Sequence, residues 1–347
     1  MKILLGMSGG IDSTYAALKL KEEGHDVEGA VLIMHGYTET ESAEAAAQSV
    51  GIPLHKIDCK EVFEAKVIDN FVNEYLSGKT PNPCVICNSE VKFRILLDYA
   101  RNNGFDKIAT GHYAKITERI CDGEIRYAIV RAADKSKDQT YVLWRLSQDI
   151  LSSLCFPLSA DEKKEIREEA RKKGLSAADR GDSQEICFVP SGDYACFIEG
   201  RTHPSPHGYF IDNEGKVLGE HKGIIHYTVG QRKGLGIAMG QRIFVTKIDP
   251  NNNTVTLSFD DSFSDTVNVS DMVFSGMPEM ATGEKVSLAV KLRYLAAPAE
   301  CVVEYSGGGR ATVKLTSPVR AVTPGQSAVF YDGDILVAGG FIDSDLS

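Results

Sequence analysis

The chain has 347 residues, 43% of them apolar and 25% charged, with a formal net charge of −10. That length predicts more than one domain, because single cores stop growing at roughly 250–300 residues, and the composition is ordinary for a soluble globular protein. No apolar run approaches the roughly 20 residues that span a bilayer, the first residues lack a secretory signal's basic region and cleavage site, and no segment is basic overall. A cytoplasmic protein is therefore expected. Any contact with nucleic acid must come from local patches rather than bulk attraction.

Ile3–Leu5 predicts a short buried strand, and Thr14–Glu23, with apolar Tyr15, Ala16, Leu18 and Leu20, a helix stopped by Gly24. Between them lies GMSGGIDS (6–13), a strand–loop–helix turn that aims backbone N–H groups and a helix dipole at one spot, which suits a phosphate. Asp12 is the odd member, because an acid in a phosphate loop is repulsive unless a hard cation such as Mg²⁺ sits between them. The loop lacks the endings of a Walker A or dinucleotide motif. A strand near VEGAVLIM, a helix at ESAEAAAQSV and a strand at LHKIDC follow. An amphipathic helix VFEAKVIDNFVNEYLS, the loop GKTPNPCVICNS, a helix EVKFRILLDYARNNG and a strand KIATGH complete a parallel sheet covered by helices. Ligands of such sheets gather at the carboxyl ends of the strands.

Residues 119–131 predict a hairpin around Asp122-Gly123, and DILSSLCF and SADEKKEIREEARKKG predict helices. In the second, Ser159 and Glu162 have capping-box spacing and Gly174 closes the end. Pro204 and Pro206 mark a linker. Beyond it only short alternating segments occur, with hairpin signals at SGGGR and YDGD, so this half is expected to be all-β and to form two small barrels.

Eight cysteines in a chain of this class argue against a disulfide framework. TPNPCVICN places Cys84 and Cys87 just before a helix, where the dipole can lower a thiol pKa; half a zinc site, a redox pair and a nucleophile with its neighbour all fit. His112 ends a strand in ATGHYAK, SKDQTYVL is a polar cluster running into an apolar one, and GDSQEICFVP puts Cys187 in a turn-prone context. Cys59, Cys121, Cys155, Cys196 and Cys301 are expected to act only as small hydrophobes.

The first loop resembles the pyrophosphate loop of N-type ATP pyrophosphatases, with their adenine nucleotide alpha hydrolase-like fold. Together GMSGGIDS, TPNPCVICNSEVKF, ATGHYAK, SKDQTYVLWRLS, DSQEICFVP, HYTVGQRKGLGI and VTPGQSAVFYDGD resemble the tRNA-uridine 2-sulfurtransferases, the tRNA-specific 2-thiouridylases, over nearly the whole chain. The resemblance implies ATP-dependent 2-thiolation of the wobble uridine 34 in the tRNAs for Lys, Glu and Gln, with Mg²⁺ accompanying ATP. It implies a catalytic α/β domain over 1–200 with a helical tRNA-binding insertion near 145–180, a central β domain over 201–272 and a β-barrel over 273–347. Gly6, Met7, Ser8, Gly9, Gly10, Ile11, Asp12 and Ser13 would then hold ATP, with Leu32 and Gly111 near the nucleotide. Asn82, Pro83 and Cys84 would lie against the target base, while Lys137, Asp138, Gln139, His112, Arg293, Tyr294 and Gln326 would touch tRNA. Cys187 would carry a persulfide and Cys87 would attack or resolve it, with sulfur supplied by a cysteine desulfurase or a sulfur-relay protein.

One departure stands out. Many members of that family carry Asp where this chain has Cys84, and three thiols at 84, 87 and 187 make iron–sulfur ligation a minority alternative. Another adenylating ATP pyrophosphatase acting on a small substrate would share the first loop but has no need of Cys87, Cys187 or two β domains. A non-catalytic RNA-binding or redox-sensing protein has no need of the intact loop.

Overall fold

The computed structural model describes residues 1–175, 177, 186–237, 239–260 and 263–344. Alternating strands and helices open the chain: β1 (Lys2–Gly6), β2 (Asp26–Ile33), β3 (Leu54–Asp58) and β4 (Lys107–Thr110) are joined by helices Ile11–Glu22, Thr40–Val50, 60–76 and 83–102. A hairpin, β5 (Ala114–Cys121) and β6 (Glu124–Arg131), and the two-residue β7 (Leu154–Cys155) come next. The sheet is parallel in the order β3-β2-β1-β4-β7. Leu4, Leu5 and Ile108 are fully buried in it, as strands covered by helices on both faces require.

The central unit holds β8 (Gly208–Ile211), β9 (Val217–His221), β10 (Phe244–Asp249) and β11 (Thr254–Ser258), ordered β10-β11-β8-β9. The C-terminal unit runs through β12 (Phe263–Val273), β13 (Lys285–Lys291), β14 (Ala299–Gly307), β15 (Arg310–Arg320), β16 (Ser327–Asp332) and β17 (Ile335–Ile342). Pairing of β12 with β17 closes these six strands into a barrel, which leaves no free edge among them. Both expected hairpin turns are present: SGGGR joins β14 to β15, and Gly333 of YDGD joins β16 to β17 with φ 61°.

Several local expectations need correction. The first helix starts at Ile11, because Gly10 is its N-cap. The stretch 78–89 is not a loop throughout. From Pro83 it is helical, since Pro83 suits a first turn and the Asn82 side chain accepts a hydrogen bond from Cys84 N. The helix then widens into a π turn over Cys87–Lys92. Ser159 and Glu162 form no capping box; the helix begins only at Lys163, and Glu162 itself is the N-cap, without a side-chain bond. Leu154 and Cys155 leave the preceding helix to add a strand beside β4. The hairpin is longer than expected and β6 pairs with β17, so a piece of the N-terminal part extends the barrel's sheet. All of β12 belongs to that sheet.

Residues 140–146 fasten the N-terminal part to the barrel. Tyr141 donates to Ser327 O at 2.9 Å and Trp144 Nε1 to Ser327 Oγ at 3.0 Å, both rings fully buried. A Cβ on Gly339 would lie 2.6 Å from the Trp144 ring. Gly339→Ala is therefore expected to cost about 1–3 kcal/mol. Trp144 is the chain's single tryptophan, so its emission should shift to the red in the variant. An unmoved spectrum with unchanged denaturant midpoint would show that the contact relaxes without strain.

Candidate active site

The phosphate-type loop sits where β1 ends. Gly9 has φ +76°, and a Cβ there would come 2.5 Å from the Ser42 carbonyl carbon, so only glycine lets the loop pack on the start of helix Thr40–Val50. Ser13 Oγ donates to Gly10 O at 3.0 Å and Ser8 N donates to Ser13 Oγ at 3.3 Å, which closes the turn. The N–H groups of Ile11, Asp12 and Ser13 begin the helix without intrahelical acceptors and face an incoming anion. Met7 and Ile11 have buried side chains in the core, so they present only backbone to a ligand. Gly111, at the end of β4, allows a close approach: a Cβ would lie 2.8 Å from Asp12 C and Ser13 N. Leu32 is buried in the core cluster that also contains Phe63 and Cys87.

Asp12 is not left facing phosphates alone. Lys163 Nζ lies 2.6 Å from both of its carboxylate oxygens, and Tyr113 OH donates to Oδ1 at 2.8 Å. Tyr113 is in turn fixed by Gln139, whose Oε1 accepts from Tyr113 N at 2.9 Å and whose N donates to Tyr113 O at 3.1 Å. Mg²⁺ takes one or two carboxylates together with substrate phosphates, and Asp12 offers a single carboxylate at the loop mouth, so the residues fit a metal carried in on ATP.

The thiols gather a short distance along the same edge of the sheet. Cys87 Sγ lies 3.8 Å from Met34 Sδ, just past the end of β2, and is buried. Its pKa is pushed up to about 12, first by burial; Lys92 opposes the shift, while Cys84, Cys187 and Cys59 add to it. Cys84 and Cys187 touch solvent, yet enough protein surrounds them that burial raises both thiols, again opposed by Lys92. The expected lowering by the helix dipole is thus outweighed by desolvation. Residues 178–185, which include the whole GDSQE stretch before Cys187, lie outside the described residues. Among the described residues no three His, Cys, Asp or Glu side chains assemble as a metal site. Of the five cysteines expected to be plain hydrophobes, Cys59 and Cys301 are buried, Cys121 and Cys155 partly so, and Cys196 is exposed.

His112 packs against Phe93 and Phe156, its Nδ1 2.8 Å from Thr110 Oγ1. Burial and the nearby Lys92 cation hold its pKa well below the usual range, so it stays neutral near pH 7. Asn82 and Pro83 shape the helix start that presents Cys84. Tyr294 is exposed on its side chain's outer face, and burial of the rest, then Asp138 and Cys84, raise its pKa. The other expected tRNA contacts have structural partners. Asp138 is buried, caps Thr140 N at 3.1 Å and lies 3.7 Å from Arg131 Nε. Lys137 is half-buried, and its N donates to Asp134 O. Arg293 donates to Val229 O, Ala321 O and Thr323 Oγ1 (2.5 Å), joining the central unit to the barrel. Gln326 Nε2 donates to Thr80 O at 2.7 Å and so pins the 78–82 segment.

Nothing in the local pattern singled out Lys92, Tyr113 or Lys163. Lys92 stands five residues after Cys87, at the far end of the π turn, and is the cation shared by three thiols and His112. Lys92→Met is expected to slow the thiol-dependent step by about 10–100-fold and to move its alkaline limb further up in pH, since an opposite charge shifts a pKa by about 1–3 units. A pH–rate profile checks this; a limb that stays in place would remove Lys92 from thiolate stabilisation.

Comparison with known proteins follows the same division of the chain. Residues 1–191 match the tRNA methyl transferase HUP domain, 196–258 the tRNA methyl transferase PRC-barrel domain and 264–342 the aminomethyltransferase beta-barrel domain. The tRNA-specific 2-thiouridylase MnmA of Acetivibrio thermocellus is 43% identical over 98% of this chain and 99% of its own length. Its namesakes in Clostridium acetobutylicum and Clostridioides difficile are 43% and 40% identical over 98% and 99% of this chain, and over 99% of their own lengths. Similarity of this extent, running through the loop, the thiols and both β units, makes the chain a member of the tRNA-specific 2-thiouridylase family.

Proposed function

We propose that this chain is an ATP-dependent tRNA-uridine 2-sulfurtransferase that acts on uridine 34 of the tRNAs for Lys, Glu and Gln. The observation that carries it is a phosphate-type loop and a three-thiol group on one edge of a parallel sheet. Adenylation needs the first and sulfur transfer the second, whereas methyl transfer needs neither. The loop N–H groups and Ser8 would hold the phosphates, and Asp12 would hold the Mg²⁺ that offsets charge developing on departing pyrophosphate. Asn82, Pro83, Cys84 and Tyr294 would receive the base, which must leave the anticodon stack to reach them.

A carbonyl oxygen is a poor leaving group, so the C2 oxygen of uridine first attacks the α-phosphate of ATP and pyrophosphate departs. The terminal sulfur of a Cys187 persulfide then attacks C2, and AMP leaves with the oxygen. The Cys87 thiolate attacks Cys187 Sγ; the S–S electron pair passes to the sulfur on C2 and N3 takes a proton, leaving 2-thiouridine and a Cys87–Cys187 disulfide. A thiol reductant returns both cysteines to the free state in which they stand here. A cysteine desulfurase or sulfur-relay protein is the proposed donor. The raised pKa of Cys87 supports this order, because it keeps the thiol protonated and inert until the substrate is in place.

Pyrophosphate release tests the proposal. It should depend on tRNA whose position 34 is uridine and stop when that position is cytidine. Release driven equally well by a small carboxylic acid would point to a different adenylating enzyme.

A further inference from the structure

An acid inside a phosphate loop needs a cation, and the structure supplies one from within the chain. Lys163 is the first residue of helix Lys163–Lys172, and its side chain is 8% exposed. It reaches both Asp12 oxygens at 2.6 Å and lies 5.6 Å from the Tyr113 ring centre. Its own backbone is fixed as well, since Lys163 N donates to Asp134 Oδ2 at 3.1 Å. The whole helix is strapped to the loop helix Ile11–Glu22: Lys19 meets Asp161 at 2.5 Å, Tyr15 donates to Glu169, and Lys173 pairs with Glu22. Ile166 and Ala170 bury the shared face.

A buried ion pair of this kind adds little net stability over an apolar contact, so stability alone does not account for a lysine here. Its placement does. The ammonium is held by the carboxylate of Asp12, in the first turn of the helix that the loop opens, and a phosphate-borne Mg²⁺ would claim that carboxylate. We propose that Lys163 is a phosphate-binding residue of the nucleotide site, kept in waiting by Asp12 until Mg²⁺ and ATP arrive. Asp12 would then hold the metal, and the Lys163 ammonium would turn to the phosphates. Charge is matched before and after the exchange, and neither ion is left buried without a partner. Tyr113, still bonded to Asp12, keeps the carboxylate oriented through the exchange. The proposal rests on the ATP-site reading and adds to it a ligand from outside the loop.

The test is calorimetric titration of the full chain with ATP, AMP and adenosine, without tRNA, in Mg²⁺ and again in EDTA. In Mg²⁺, Lys163→Met should weaken ATP binding by about 30-fold, as loss of a charge-assisted bond predicts, and in EDTA by less, because no metal takes Asp12 and the ammonium stays paired with it. Adenosine affinity should stay within about twofold, and Lys163→Arg, which keeps the charge, should recover most of the loss. Unchanged ATP affinity with a lowered Tm would make Lys163 only a structural partner of Asp12. An equal loss for adenosine would overturn phosphate recognition. If the wild-type chain bound adenosine and ATP alike, the loop itself would not be a phosphate site, which distinguishes failure of the broader reading from failure of this one.

Discussion

Cys187→Ser should release pyrophosphate in the presence of ATP and tRNA at a rate within about threefold of the parent chain, and should form no 2-thiouridine. The two halves of the reaction use different residues. Activation of the C2 oxygen depends on the loop at the end of β1, while delivery of sulfur depends on a thiol that can carry a second sulfur atom. Serine keeps the size and the hydrogen-bonding capacity of the exposed Cys187 side chain, so the fold should tolerate it. The adenylated uridine should then build up or return to uridine by hydrolysis. Thiolated product from the serine variant with a desulfurase and cysteine as donor would remove Cys187 from its place. Loss of pyrophosphate release as well would show that the thiol is needed for activation.

Asp12→Asn should reduce adenylation by about 10²–10³-fold and leave tRNA affinity within a few fold, because the carboxylate serves metal and phosphates and not RNA. Asparagine can still accept the Tyr113 hydrogen bond, made at 2.8 Å, so the loss belongs to the charge. It has two parts. Mg²⁺ loses its only carboxylate in the loop, and Lys163 loses the partner that it contacts at 2.6 Å through both oxygens. Pyrophosphate release measured beside filter binding of tRNA separates these effects from a general collapse. A matching fall in tRNA binding would contradict the division of labour.

Much of the framework could be read from local pattern. The loop declared itself through Gly9, Gly10 and two serines set between a strand and a helix, because backbone constraints act over a few residues. The alternation of β13–β15 and the Gly-rich SGGGR turn between β14 and β15 likewise predicted paired strands. Closure of the barrel by β12 and β17, and its extension by β6, could not be read this way. Those pairings join residues more than 60 positions apart, and no local signal encodes them. The capping-box spacing at Ser159 and Glu162 failed because the chain there serves tertiary contacts: Asp161 reaches Lys19, and Lys163 reaches Asp12. The site was half legible for the same reason. Cys84, Cys87 and Cys187 are noticed as residue types, but the direction of their pKa shifts depends on burial, which reverses the effect expected from the helix dipole alone. Lys92 and Lys163 are ordinary lysines in charged helical stretches until folding brings each beside its partner. Arg293 and Gln326 illustrate the opposite case, polar residues whose bonds hold one unit to another.

The central claim is that this chain places sulfur on C2 of uridine 34, and nucleoside mass spectrometry tests it most directly. Unmodified tRNA for Lys, Glu or Gln would be incubated with the purified chain, ATP, Mg²⁺, cysteine and a cysteine desulfurase, then digested and its wobble nucleoside weighed. The account predicts a gain of the sulfur-for-oxygen mass at position 34, one AMP formed per thiolated uridine, and no gain when ATP is omitted. Uridine that stays unmodified while AMP and pyrophosphate accumulate, or a mass gain that corresponds to a methyl group, would contradict it.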